Sequence, residues 1–204
     1  MSGTLYRDDF AFSARILGAL FSFPPDDEQI KPVIDAFISG EWQAQWTLEQ
    51  DALAPLACGF MNPSDEPIEA AWQRLFIGPW ALPAPPWGSV WLDKESVIFG
   101  DSTLALRQWM RDNQIAWDSE QNVPEDHFGT LLMLVAWLAE NQQFTACNEL
   151  LAWHLLPWSA RFLTVFIQEA QHPFWRALGL LAQKTLADWQ SRLVMPVAQK
   201  TLYR

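Results

Sequence analysis

The chain has 204 residues, 50% of them hydrophobic and 18% charged, and its 24 Asp plus Glu against 13 Lys plus Arg give a net charge of -11. That length suits one domain with a sizeable core, and the acidic balance argues against a nucleic-acid surface, which needs clustered bases, and favours a cationic partner. Two cysteines, Cys58 and Cys147, are too few for a disulfide framework or a cysteine zinc cluster and fit a reducing compartment.

Asp8 and Asp9 stand where a signal peptide would be positive, and residues 8–22 read as an amphipathic helix with Phe12, Ile16 and Leu20 on one side. It stops before Pro24-Pro25. Asp26, Asp27 and Glu28 open a second helical segment that Pro32 kinks or restarts and Gly40 ends. These three acids resemble the start of an isoprenoid-synthase metal motif but lack its further aspartate, so they read as helix-start acids. Thr47-Leu-Glu-Gln50 is a candidate capping box for a third helix. Over residues 65–77, Ile68, Ala71, Trp72, Leu75 and Phe76 follow helical spacing, closed by Gly78 and Pro79.

Residues 78–101 then break the pattern. Trp80, Trp87 and Trp91 sit among Pro79, Pro83, Pro85 and Pro86, where a regular helix cannot form. Irregular excursions of this length are uncommon in compact domains and tend to be functional. The prolines limit the freedom of the unbound chain, so a surface built here is held in shape before it binds. A short hairpin around Asp93-Lys-Glu-Ser96, within residues 90–99, is expected. A helix then starts at Ser102 or Thr103 and runs to about Asp112, and a polar connector reaches Pro124. Pro124-Glu-Asp-His127 has the proline and acids of a helix first turn. The next helix is apolar almost all round and so reads as the buried central one. Three more follow near 143–153, 157–170 and 173–193, the last with Phe174, Leu178, Leu181, Thr185 and Trp189 in one stripe.

The expected fold is all-α, a single domain over residues 1–204 with eight or nine helices and one long Pro/Trp-rich loop. The longest apolar run, residues 131–139, is well short of the ~20 residues that cross a bilayer, so a soluble cytoplasmic protein is expected. No nucleotide-binding glycine loop and no HExxH occur, and His127, His154 and His172 are scattered, so neither a metal nor another cofactor is expected. Asp126-His127 is the one candidate for proton transfer. As neighbours on a helix they would point about 100° apart, and a capping role is favoured over catalysis.

Trp72-Gln-Arg-Leu-Phe-Ile-Gly-Pro79, Pro86-Trp-Gly-Ser-Val-Trp91, Phe99-Gly-Asp101 and Pro124-Glu-Asp-His127 resemble the two motif regions of the redox-enzyme maturation chaperones of the TorD, DmsD and NarJ type. The likeness extends over essentially the whole chain. One departure is Val123, where the family's second motif commonly has glutamate. The resemblance implies a cytoplasmic, non-enzymatic chaperone that binds the twin-arginine signal peptide of a molybdoenzyme precursor, of the dimethyl sulfoxide or trimethylamine N-oxide reductase type. It would delay export until folding and cofactor insertion are complete, with the membrane translocon as a further partner. It further implies a binding surface made of Trp72, Leu75, Phe76, Trp80, Pro86, Trp87, Trp91, Gly100, Asp101, Pro124, Asp126 and His127. Such a peptide is cationic at its start and apolar in its middle, so an open apolar groove with an acidic border is expected. Gly78 and Gly100 are expected to permit backbone turns. The alternative is a small helical enzyme, or a nucleotide or pterin binder, centred on Asp126-His127. A monomer is expected, with connectors long enough for a domain-swapped dimer.

Overall fold

The computed structural model describes residues 8–116 and 124–204. Among them the chain forms nine continuous helices and no strand. α1 (Asp8–Ser22) ends just before Pro24. The second segment starts later than the acids at 26–28 suggest: residues 25–30 make turns, and α2 (Lys31–Ser39) begins with Pro32 in its first turn, where a missing N–H costs nothing. Gly40 closes it at φ 83° and leads into a 3-10 turn, Glu41–Gln45. α3 (Gln50–Met61) has no side-chain cap, so the expected Thr47 capping box does not form. α4 (Ile68–Trp72) widens into a π turn, Gln73–Ile77, and stops at Gly78, whose φ of 111° and ψ of -161° only glycine adopts without strain.

The expected hairpin at 90–99 is absent. α5 (Gly88–Leu92) occupies its first half, and positive φ at Ser96 and Phe99 breaks the second. α6 (Asp101–Asp112) follows. Pro124, Glu125, Asp126 and His127 lie before α7 (Phe128–Glu140) rather than in its first turn, with His127 as the N-cap. The connector at 117–123, Val123 included, lies outside the described residues. α8 (Phe144–Glu169) is one 26-residue helix, long and apolar enough to cross a membrane by length and composition, but 56% of its most apolar stretch is buried inside the protein. It contains a π segment at Leu150–Leu155, so the two helices expected from sequence are one. α9 (Pro173–Arg192) is capped by the His172 Nδ1, which accepts from the Phe174 N–H at 3.2 Å.

Aromatic side chains fasten these helices together. Phe21 of α1 meets Phe128 of α7 at 4.8 Å and Phe166 of α8 at 5.3 Å. Phe76 of the α4 π turn joins the same cluster through Phe166 and Trp175, each at 5.6 Å. A second cluster, Phe37, Trp42, Trp46, Phe60 and Phe174, ties α2 and α3 to α9. The whole α9 stripe named from sequence is buried, and Thr185 Oγ1 accepts from the Trp46 indole at 3.0 Å.

α1 and α7 cross at backbone contact. A methyl group on Gly129 would stand 2.2 Å from Ser22 Oγ and 2.8 Å from the Gly18 carbonyl oxygen. Gly129→Ala is therefore expected to lower unfolding free energy by about 1–3 kcal/mol in denaturant titration. Adding Ser22→Ala will not restore it, because the Gly18 carbonyl still blocks the methyl.

Candidate functional site

The two motif regions, separate in sequence, are joined by a short antiparallel bridge between Trp87 and His127. The Gly88 N–H donates to the Asp126 carbonyl at 3.0 Å, and the Phe128 N–H donates to the Pro86 carbonyl at 2.7 Å. The Asp126 side chain adds a third tie, its Oδ2 accepting from the Ser89 N–H at 2.7 Å. The Trp87 and His127 rings meet edge to face at 5.4 Å. Proline explains why the chain forms a bridge here rather than a longer strand pair: Pro85 and Pro86 have no N–H to continue a ladder.

Burial dominates the protonation of both motif residues. Asp126 is 3% exposed, and burial raises its pKa, opposed by the Ser89 N–H and by the nearby hydroxyls of Ser89 and Thr103. Its Oδ1 makes no hydrogen bond of full geometry, and the Ser89 and Thr103 hydroxyls that lower the pKa are the donors beside the carboxylate. His127 is lowered to about 4 by desolvation, so it is neutral at physiological pH, and its Nδ1 accepts from the Gly129 N–H at 3.2 Å. Both side chains are thus committed to backbone groups. They form no dyad with each other, which removes the basis for an enzyme centred on this pair. Among the described residues, no cluster of three or more His, Cys, Asp or Glu side chains is placed to hold a metal ion.

The other expected site residues divide by depth. Trp80 projects into solvent at 85% exposure, and Asp101 is exposed at the start of α6. Trp87 and Trp72 are half-buried, each with an indole N–H that finds no partner, and Trp72 stacks on Phe76 at 5.7 Å. Leu75, Phe76, Pro86, Trp91 and Pro124 are buried. Leu75 and Phe76 are core residues, so their helical spacing reported packing rather than a peptide surface. Trp91 is held by its indole N–H, which donates to the Pro85 carbonyl at 2.8 Å. Gly100 has an ordinary φ of -77° and serves close approach instead of a turn: a Cβ there would stand 2.0 Å from Asp93 Oδ2.

Asp93 is one of the residues that sequence reasoning missed. Its carboxylate accepts from the Ser102 N–H at 3.1 Å and the Ser102 hydroxyl at 2.8 Å, fixing the start of α6 against α5. Glu125 is paired to Arg107 at 2.8 Å, which also lies over the Phe99 ring at 5.3 Å. Ser89, His154 and Lys200 were missed too. Ser89 donates its N–H to Asp126, and His154 and Lys200 line with Asp126 the recess under α5, whose walls also include Gly88, Leu92, Ser102 and Leu106. Nothing in local sequence marks them, because they converge only through folding.

At this corner the described residues leave a small recess under α5. The recess holds only about 10 Å³, room for roughly one water. Residues 198–204 run across this corner: the Ala198 N–H donates to the Ala152 carbonyl and the Tyr203 N–H to the Trp91 carbonyl, each at 2.9 Å. A roomier apolar groove, about 250 Å³, lies elsewhere, between α1, α2 and the 3-10 turn, lined by Phe12, Ile16, Val33, Trp42 and Trp46 with Glu41 at its edge.

Comparison with known proteins places these features in context. The family described as nitrate reductase delta subunit matches residues 39–164. The chain is 61% identical over 204 residues, all of both chains, to the Tat proofreading chaperone DmsD of Salmonella typhimurium. It is 39% identical, again over both full lengths, to the probable Tat proofreading chaperone DmsD of Haemophilus influenzae. A solved structure titled a putative redox enzyme maturation protein, from Archaeoglobus fulgidus, shares the fold with a TM-score of 0.57 at 18% identity, over 91% of this chain and 99% of that one.

Two outcomes follow from the buried groups. His127 and His154 are both lowered to about 4, so their neutral forms stabilise the fold above pH 6.5, and that stability drains away as pH falls through 4. Asp126 works in the opposite sense, costing stability as it ionises with rising pH. His127→Asn keeps an N-cap acceptor without the titration, and unfolding measured from pH 7 to 4 should lose about 3 kcal/mol less than in the parent. Phe76→Ala, by contrast, should destabilise by about 3–5 kcal/mol at any pH.

Proposed function

The chain belongs to the nitrate reductase delta subunit family, and on that premise we propose that it is a twin-arginine proofreading chaperone whose ligand is the signal peptide of a molybdoenzyme precursor. It is a binding protein, not an enzyme. The observation that supports the peptide assignment is the bridged corner, where the exposed Trp80 and the half-buried Trp87 lie on a proline-stiffened loop and the buried Asp126 stands beside Trp87.

An arginine pair suits this corner for a stated reason. Guanidinium offers several planar N–H donors, Asp126 is a buried carboxylate acceptor, and Asp101 supplies negative charge at the surface. The apolar middle of the peptide would lie on Trp80, Trp87 and Trp72, with Trp91, Pro86, Pro124, His127 and Gly100 shaping the floor and edges. Leu75 and Phe76 act from beneath by supporting Trp72. Burying two or three apolar peptide side chains contributes about 1.5–3 kcal/mol each, charge-assisted contacts add about 1.5–3 each, and immobilisation costs several kcal/mol. A net of about 7–9 kcal/mol corresponds to roughly micromolar affinity. That strength allows the chaperone to hold a leader in the cytoplasm while its enzyme folds and takes up cofactor, and then to yield it to the membrane translocon.

Titration with a synthetic twin-arginine leader, followed by calorimetry, tests the reading. Trp80→Ala should weaken binding while leaving the unfolding free energy within about 0.5 kcal/mol, since the ring makes no buried contact. A leader with both arginines changed to lysine should bind on the order of tenfold more weakly. A scrambled, neutral peptide that binds as well as the leader would refute the assignment.

A further inference from the structure

The segment after α9 is net positive in a very acidic chain. Residues 193–204, Leu-Val-Met-Pro-Val-Ala-Gln-Lys-Thr-Leu-Tyr-Arg, contain Lys200 and Arg204, no acid, and apolar side chains at Leu193, Val194, Val197 and Leu202. They form no helix, and the chain runs extended back over the bridged corner. Besides the two backbone hydrogen bonds to Ala152 and Trp91, the Arg204 guanidinium lies 5.9 Å from the centre of the Trp91 ring and donates to the Leu82 carbonyl at 3.5 Å. The Arg161 side chain donates to the Arg204 carbonyl at 3.3 Å. Lys200 closes the recess lined by Asp126 and His154, and Asp93 faces it electrostatically.

We propose that residues 194–204 are an intramolecular stand-in for the leader: a cationic, oily, extended segment that covers the peptide corner of the free chaperone and is displaced when a leader binds. The inference rests on the signal-peptide reading above and adds a regulatory step to the same site. It explains three observations together. The recess is almost closed because a lysine stem fills it. The Arg204 guanidinium stands 5.9 Å from the centre of the core-buried Trp91 ring. The segment's last residues nevertheless remain exposed, so it is held by a few contacts and not by a core.

The cover also defines subsites. The face of Trp91 with the Leu82 carbonyl is a place for one guanidinium, and the recess beside Asp126 is a place for a second cation. A twin-arginine leader satisfies both at once, whereas the covering segment presents an arginine and a lysine four residues apart. Its two cations are also tethered, so their advantage is local concentration, and a leader outcompetes them only by better contacts. The covering equilibrium lowers apparent leader affinity by the fraction of molecules that are open.

The test uses the full chain. Lys200→Gln together with Arg204→Gln should tighten leader binding by about threefold to tenfold, as the closed state is depopulated. In the parent protein, leader at saturation should strip amide-exchange protection from Ala198 and Tyr203, and a synthetic peptide of residues 194–204 added in trans should compete with the leader. Unchanged affinity in the double variant, or a leader that binds while Ala198 and Tyr203 stay protected, would overturn the cover and leave the signal-peptide reading intact. A leader that binds neither protein would overturn both, and is recognised by the absence of any binding heat.

Discussion

The contact on which the site depends is the pair of backbone hydrogen bonds that join Pro86-Trp87-Gly88 to Asp126-His127-Phe128. Without it, the proline-rich strap would keep only the Trp91 bond to the Pro85 carbonyl and the long Arg204 bond to the Leu82 carbonyl, and it would have no backbone tie to the start of α7. With it, the strap is held to the N-terminus of the most deeply buried helix, whose Phe128 sits inside the aromatic cluster of α1 and α8. Rigidity therefore passes from the core to the surface through one residue pair. Asp126 reinforces the link through the Ser89 N–H and starts α5, and Asp93 at the far end of α5 holds the start of α6. Three short segments are thereby locked into one frame without a sheet.

That frame is electrostatically unfinished. The buried Asp126 Oδ1 makes no hydrogen bond of full geometry, and the Trp72 and Trp87 indole nitrogens are buried with no acceptor. Unpaired buried polar atoms also occur away from the corner, at Ser13, Trp42 and Trp189, so they bear on binding only where a ligand can reach them. A cation with several donors and an oily neighbour would suit such a place, which is the chemistry proposed for a twin-arginine leader. In the free protein the basic segment 194–204 partly stands in for it. An acidic chaperone that covers its own acidic site with its own cations, and gives way to a stronger cationic ligand, has a simple means of staying idle until a client arrives.

Much of the fold was legible in the residues. The α4 and α9 stripes, the stop at Gly78 and the apolar α7 all follow from helical spacing and terminal residues, and each appears where the pattern put it. The failures have physical causes. Phe76 and Leu75 carry the spacing of a buried face, and spacing does not distinguish a face that meets the core from one that meets a ligand. The hairpin at 90–99 was inferred from turn residues, whereas Asp93 is used as a remote cap for α6, a contact that depends on the fold. The placement of Trp91, His154 and Lys200 at one corner joins positions more than a hundred residues apart in places and leaves no local signature. Helix boundaries and core faces are local properties, but a site assembled from loop, helix end and returning tail is not.

A second place to consider is the apolar groove between α1, α2 and the 3-10 turn, whose one charged lining residue is Glu41. Photo-crosslinking from a leader that carries a photoreactive residue beside its arginine pair separates the two places in a single experiment. Binding at the bridged corner predicts adducts on residues 80–93 and 124–127. Adducts confined to Phe12, Ile16, Val33 and Trp42 would contradict it.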